Sequence, residues 1–323
     1  MVSVVVTTYN HADYITRCLE GILMQQVDFE YELLIGEDES NDGTRAICQD
    51  FAERYPERIR LFLRRREDVI YINGKPTGRY NFVETLNAAR GKYVALCDGD
   101  DYWTDERKLQ KQVDFMEQRP GYAICHHGGQ MYFEQDQQFI PLPDKPKHAG
   151  IERLVQDNFI ITCSCLFRNH LFERFPDWIY QAPVADYCLH ILNAQHGRIG
   201  YLPDDMCVYR MHSGGIWSQR NAGEQAERML QLATFLRHEV LPPSLYPAVD
   251  TNIYLQHYRA AYGNPNGKRF GYHFRYCLQQ AGFSLRRWKR VLNLLFVKVG
   301  LVRLEKGNFV LNLPPLQPSR NNG

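Results

Sequence analysis

VALCDGDDYW, residues 94–103, sets the apolar run Val94–Cys97 directly against three carboxylates, Asp98, Asp100 and Asp101. A short continuous apolar run is the pattern of a strand buried on both faces of a parallel sheet. Carboxylates crowded at the end of such a strand repel one another unless a cation or hydrogen-bond donors compensate. In an open α/β sheet, ligands bind beyond the carboxyl ends of the strands, so the crowding marks a rim worth reading. Alternate residues at a strand end, with only Gly99 between them, can both face one hard cation. Oxygen ligands of this kind favour magnesium or manganese, with a phosphate completing the shell.

Working upstream, VSVVVTT (2–8) has the same buried-strand pattern, and YITRCLEGILMQQ (14–26) follows with Ile15, Cys18, Leu19, Ile22 and Leu23 at helical spacing. YELLIGED (31–38) reads as a second strand and ESNDGT (39–44) as a turn, with Asp42 or Thr44 able to cap the helix RAICQDFAERY (45–55). Strand RIRLFLR (58–64), helix FVETLNAAR (82–90) and strand KYVALCD (92–98) complete the alternation. The pattern predicts an α/β fold, an open and mainly parallel sheet over roughly residues 1–120. RRREDVIYINGKPTG (64–78) reads as a long surface loop. ITCSCLF (161–167) and DDMCVYRMH (204–212) read as strands within a less regular stretch from 120 to 220, and 222–240 as a helix stopped by Pro242 and Pro243.

The chain has 323 residues, 44% of them apolar, enough for a sizeable core. With 38 basic and 37 acidic side chains it has no global bias toward nucleic acid. Nine scattered cysteines without a CxxC pair suggest neither zinc nor a redox centre and fit a reduced cytoplasm. MVSVVVTTYN reads as a first strand and not as a signal peptide or anchor. No GxxxxGK[ST] loop follows any strand and no GxGxxG follows the first, which disfavours triphosphate hydrolysis and dinucleotide redox chemistry.

The expected strand ends present Thr7, Thr8, Tyr9 and Asn10, then Glu37, Asp38 and Glu39, then Asp98, Gly99, Asp100 and Asp101. With VSVVVTTYNHADYITRCLEGILMQQ, EDESNDGT and GKYVALCDGDDYWTDERKLQKQV, the chain resembles family 2 glycosyltransferases of the GT-A fold over its first 120 residues. A weaker resemblance continues through VADYCLHI and YRMHSGGIWS to about residue 220. The resemblance implies a GT-A-type catalytic domain over 1–220, with a nucleotide-sugar-binding half (1–120) and an acceptor half (121–220), followed by a mostly helical, basic extension over 221–323. It implies an inverting transfer from a nucleotide-sugar donor, a UDP-sugar, to a hydroxyl of a glycan or glycolipid in surface polysaccharide biosynthesis, with Mn2+ or Mg2+ as cofactor.

Carried over by position, the resemblance assigns Thr8, Tyr9, Glu37, Asp38, Arg79, Asp98 and Gly99 to the nucleotide-sugar. Asp38 would meet the base edge and Asp98 the ribose. Asp100, last of the DxD triplet, would coordinate the metal, joined by His212 from a closing segment hinged at Gly214 and Gly215. Asp186 in PVADYCLHI would be the general base. Glu37 departs from the aspartate usual in the family and Glu39 from the usual glycine. Each assignment has a plainer reading: Arg79 as a solvated loop arginine, Asp186 as a helix N-cap, and His212 as a structural histidine. Trp103 and Trp217 could stack on sugar rings or sit as ordinary edge aromatics. A catalytically inactive nucleotide-sugar-binding or assembly protein of the same fold stays open beside the enzyme. A nucleotidyltransferase lacks its glycine-rich loop here, and a receiver module would leave 200 residues unexplained.

From Lys268 to Lys306 there are ten Lys/Arg and one Glu, and LRRWKRVLNLLFVKVGLV (285–302) mixes basic residues with Trp288, Leu292, Leu295, Phe296 and Val299. That composition suits an anionic membrane surface, a peripheral partner at the inner face of the cytoplasmic membrane. A helix packed on the protein with a solvated basic face is the equal alternative, and nucleic acid is a poorer one because no recognition motif accompanies the charge.

Overall fold

The computed structural model describes residues 1–72, 74–215, 217, 219–298, 302–305 and 308–311. The N-terminal half alternates as expected: β1 (Val2–Thr8), α1 (Ile15–Leu23), β2 (Tyr31–Glu37), α2 (Thr44–Arg54) and β3 (Ile59–Leu63). The stretch read as a long loop instead holds a small hairpin, β4 (Ile70–Ile72) and β5 (Lys75–Thr77), before α3 (Arg79–Asn87) and β6 (Tyr93–Asp98). Then come β7 (Tyr102–Trp103), α4 (Lys108–Glu117), β8 (Tyr122–Phe133), β9 (Gln138–Pro141), β10 (His148–Ala149), α5 (Ile151–Gln156), β11 (Leu166–Arg168), α6 (Ala185–Ala194) and β12 (Arg198–Met211). Thr162–Ser164, expected in a strand, form a 3-10 turn in which the Ser164 hydroxyl bonds the Ile161 carbonyl. Such local side-chain bonds compete with the sheet ladder.

The main path through the ten-stranded sheet is β10-β12-β8-β11-β6-β1-β2-β3. β6, β1, β2 and β3 are mutually parallel, while β11 runs antiparallel to both β6 and β8. Side-chain alternation covers both faces. Val2, Val4, Val6, Leu33 and Ile35 join a core with Ile15, Cys18, Leu19 and Ile22 of α1, Cys48 and Phe51 of α2, and Leu109 and Met116 of α4. On the opposite face Gly36 lies so close to α3 that a Cβ there would meet the Asn81 and Thr85 side-chain oxygens at 2.1 and 2.3 Å. The chain steps outward from β1 to β2 to β3 and then returns to place β6 on the other side of β1. That reversal is the topological switch point, where such sheets bind ligands.

Two compact units divide the chain, Met1–Ser218 and Gln219–Gly323. The second holds α7 (Ala222–Phe235), α8 (Tyr246–Gly263), α9 (Phe270–Gln279), α10 (Leu285–Lys298) and the hairpin β13 (Val302–Glu305) with β14 (Asn308–Leu311). A capping box opens α7: Asn221 accepts from the Glu224 amide while Glu224 accepts from the Asn221 amide. All nine cysteines are free and buried. Among the described residues no helix is long and apolar enough to cross a membrane.

Candidate functional site

The site begins where β1 and β6 end side by side, with Thr7 in register with Asp98. The Gly99 amide donates to the Thr7 carbonyl at 3.0 Å, so the turn after β6 folds across the end of β1. A Cβ on Gly99 would stand 2.6 Å from Thr8 Oγ1 and 2.9 Å from His11 Nδ1, which leaves glycine as the residue that fits between the two aspartates. The Thr7 hydroxyl donates to Asp98 Oδ1 at 3.1 Å. Burial, then Asp100, then Asp186 push the Asp98 carboxyl up to about 7.

Asp100 Oδ2 lies 3.1 Å from His212 Nε2 and 3.8 Å from His11 Nε2. Burial works to raise the Asp100 carboxyl, but the His212 hydrogen bond and the nearby His11 outweigh it and hold it below the usual carboxylate range. Arg210, at the end of β12, bonds the Asp100 carbonyl through Nε and Asp101 Oδ1 through its amide. The Tyr14 ring packs 4.6 Å from His212. Thus β12 clamps the aspartate turn from outside the nucleotide half. Asp101 itself is 1% exposed, raised well above the usual range by burial and by Asp100 and Asp98, and its Oδ1 is engaged by the β12 backbone at Arg210.

At the β2 end the two acidic neighbours diverge. Asp38 receives Arg66 Nη1 at 2.8 Å, and Arg66 also lies over the half-exposed Tyr9 ring at 4.3 Å. Burial raises the Asp38 carboxyl against the pull of Arg66. Glu37, expected to meet the nucleotide, is instead fully buried: one oxygen accepts from the Ser40 amide and the other pairs with Arg45. It fixes the turn into α2, and at 0% exposure it presents no oxygen to a ligand in the rim. Glu39 has φ +59°, a left-handed backbone that favours glycine, and its carboxylate takes up the Arg66 amide. Asp42 accepts from the Ala12 and Thr44 amides and so ties the β1 turn to the start of α2.

Asp186 stands in the first turn of α6, behind the cap residue Val184, so it is not the N-cap. Its Oδ2 accepts the Thr162 hydroxyl at 3.0 Å, leaving Oδ1 open. Arg79 is not a solvated loop arginine. It is 5% exposed at the start of α3, and Nη2 donates to the Ala182 carbonyl at 2.6 Å, which steers the chain entering α6. Trp103 is also corrected: it is 2% exposed, its indole N–H bonds the Cys163 carbonyl, and Lys108 Nζ covers its ring at 3.9 Å, so no face is open to a sugar. Trp217 is half-buried in the segment after His212.

The structure therefore gathers Thr8, Asp98, Gly99, Asp100 and His212 at one strand end, with Tyr9 and Asp38 at the neighbouring one. It adds His11, Arg66 and Arg210, which the sequence reading did not single out. His11 stands three residues beyond Thr8, within reach of the same strand-end criterion, and Arg66 ends the run RRR that faces the β2 acids. Among the described residues no group of three or more His, Cys, Asp or Glu is arranged to hold a metal. Asp100 and His212 supply a two-ligand edge, the kind that phosphate oxygens complete.

Comparison with known proteins follows the same lines. The family model for glycosyl transferase family 2 matches residues 3–175. An uncharacterized protein of Mycobacterium tuberculosis is 36% identical over 218 residues, 67% of this chain and 60% of its own length. The chain thus spans about 60% of the length of the curated relatives of this group. A putative teichuronic acid biosynthesis glycosyltransferase of Bacillus subtilis is 35% identical over 135 residues, 40% of this chain and 49% of that one. Among solved structures, residues 1–349 of Staphylococcus aureus TarS in complex with UDP-GlcNAc superpose with TM-score 0.59 at 17% identity, covering 98% of each chain. A mannosyltransferase of Pyrobaculum calidifontis in complex with GDP-Man and Mn2+ gives 0.57 at 18% identity, covering 93% of this chain and 87% of that one.

Proposed function

The chain belongs to glycosyltransferase family 2, and from that premise we propose that it is an inverting, metal-dependent transferase that moves a sugar from a UDP-sugar to a hydroxyl of a glycan or glycolipid in surface polysaccharide assembly. The observation that carries the reading is the pair Asp98, at the end of β6, and Asp100, in the turn beyond it with His212 at 3.1 Å and His11 at 3.8 Å, beside the switch point of the sheet. A structural role alone gives no reason to concentrate that much negative charge there. UDP-GlcNAc and GDP-Man in the structural neighbours support a nucleotide diphosphate donor. The teichuronic acid relative supports the polysaccharide role.

The donor set fits manganese or magnesium: one carboxylate and one imidazole at Asp100 and His212, with His11 at the margin. Held there, such an ion would supply Lewis-acid stabilisation for charge on the departing diphosphate. Tyr9 offers an exposed ring beneath the base, and Asp38 accepts the uracil imide N–H as Arg66 shifts to share the carboxylate. Asp98 accepts from a ribose hydroxyl. Asp186 Oδ1 takes the proton of the attacking hydroxyl while Thr162 holds Oδ2 in place. One displacement with one base inverts the anomeric carbon. With a glycolipid acceptor the enzyme would work at the inner face of the cytoplasmic membrane.

Calorimetric titration with UDP and GDP, with and without manganese, tests this on the parent chain and on Asp100→Ala. Manganese-dependent UDP binding that the variant loses is expected. A preference for GDP would overturn the donor, and absence of any nucleotide binding would favour an inactive assembly protein.

A further inference from the structure

We propose that the outer face of α10, with the turn that precedes it, docks on an anionic lipid bilayer. The inner face of this helix is already satisfied: Val291 and Leu294 are buried in a small core with Tyr254, Tyr262 and Cys277. A second apolar face is left open. Leu285, Trp288, Leu292, Leu295 and Phe296 recur at helical spacing and are 87, 41, 49, 43 and 45% exposed, and Phe283 in the preceding turn is fully exposed. At 100° per residue these five helix positions fall within an arc of roughly 100°, one continuous stripe. The Trp288 indole N–H bonds the Gly282 carbonyl at 2.8 Å, which holds the indole beside the turn that presents Phe283. Single exposed apolar residues are ordinary on soluble surfaces, whereas a contiguous stripe marks an interaction site.

The charge around the stripe identifies the partner. From Thr251 to Leu304 the sequence contains ten Lys/Arg and no Asp or Glu. Some of these cations are used internally: Arg287 bonds the Gln280 carbonyl and lies over Tyr254, Arg290 lies over Tyr254 and Tyr258, and Lys298 bonds Pro265 and Asn266. Arg286 and Lys289 are exposed, and neither has an acidic partner among the described residues. Lys289 lies one turn from both Leu285 and Leu292, at the margin of the stripe. A partner must therefore be apolar along its centre and anionic beside it. A bilayer interface provides both, with acyl chains under the stripe and lipid phosphates at the basic margin. A second copy of the chain is a poor occupant, because it would bring its own Arg286 and Lys289 against these. With 14 residues, α10 reaches about 21 Å and would lie in the interface and not span it. Val299, expected in the same face, lies outside the described residues.

Co-sedimentation of the full chain with phosphatidylcholine vesicles, and with vesicles containing one-quarter phosphatidylglycerol, tests the inference independently of the donor. Binding at least about tenfold tighter to the anionic vesicles, weakened by 0.5 M salt, is expected. Phe283→Asp with Leu285→Asp should lower that binding at least about tenfold, as should Arg286→Glu with Lys289→Glu, while thermal unfolding and UDP titration stay as in the parent. Equal affinity for the two vesicle types, binding to neither, or parental binding by both variants would overturn it. Self-association abolished by Phe283→Asp, without vesicle binding, would overturn it in favour of a second copy.

Discussion

Asp100 holds its carboxylate between two imidazoles, whereas Asp186 meets a threonine hydroxyl with one oxygen and offers the other. The two therefore predict separable losses. Asp100→Asn should cost at least about tenfold in manganese-dependent UDP affinity, because the charge that offsets the cation is gone. Asp186→Asn should leave UDP affinity within about twofold and lower turnover by about 10²- to 10⁴-fold, the usual contribution of a general base. Calorimetry paired with a turnover assay on any accepted donor reads both; normal turnover in Asp186→Asn would remove it from the chemistry. Residue type pointed to Asp100, a carboxylate just beyond a strand end, whereas Asp186 came from the family resemblance. Residue type misled where burial decides. Glu37 looked like its neighbour Asp38, yet its carboxylate is consumed by Arg45 and the Ser40 amide. Arg79 and Trp103 have the chemistry of ligand contacts and the exposure of core residues.

At the scale of elements, β1, β2 and β6 were legible because strands buried on both faces are continuous apolar runs. The strands β8 and β12 were less so: they are 12 and 14 residues long, and the register between them shifts at several points. The β1–β6 junction makes its own demand on Gly99. Gly99→Ala must push Thr8 or His11 aside, so it should weaken UDP binding and lower stability by about 1–3 kcal/mol in urea denaturation. Unchanged midpoint and affinity would refute that packing. β8 and α6 carry an acid sensitivity of their own. His126, packed on Phe159 and Tyr201, is lowered to about 3 by burial, then by His190 and Lys145; His190 is lowered to about 4 by burial, which Asp186 only partly offsets. Both are neutral when folded and bind protons readily when unfolded. Their stabilisation is full above the unfolded value near 6.5 and is lost as pH falls toward 4, on the order of 2–3 kcal/mol for each across that window. His126→Phe keeps a ring in the same place, so its stability should fall less between pH 7 and pH 4.5 than the parent's. Parallel decline of the two would show that His126 is not responsible.

For the whole molecule, the division at Ser218 separates two kinds of evidence for function. Every candidate residue from Thr8 to His212 lies in the first unit, and the main core there runs from Val2 to Cys207. A unit of 218 residues is large enough to bury its own core. The open apolar stripe lies in the second unit, whose smaller core is built from α8, α9 and α10. That second unit was legible in sequence as helical and basic, but not as a helix with one face buried and another open, because large apolar residues recur on both faces. Residues 1–218 expressed alone should therefore unfold in one cooperative transition and bind UDP with manganese within about threefold of the full chain, while losing the preference for anionic vesicles. Retained nucleotide binding with lost vesicle binding would separate chemistry from placement. A folded 1–218 that no longer binds UDP would mean that the second unit completes the donor site, and the assignment of that site to the sheet ends alone would fall.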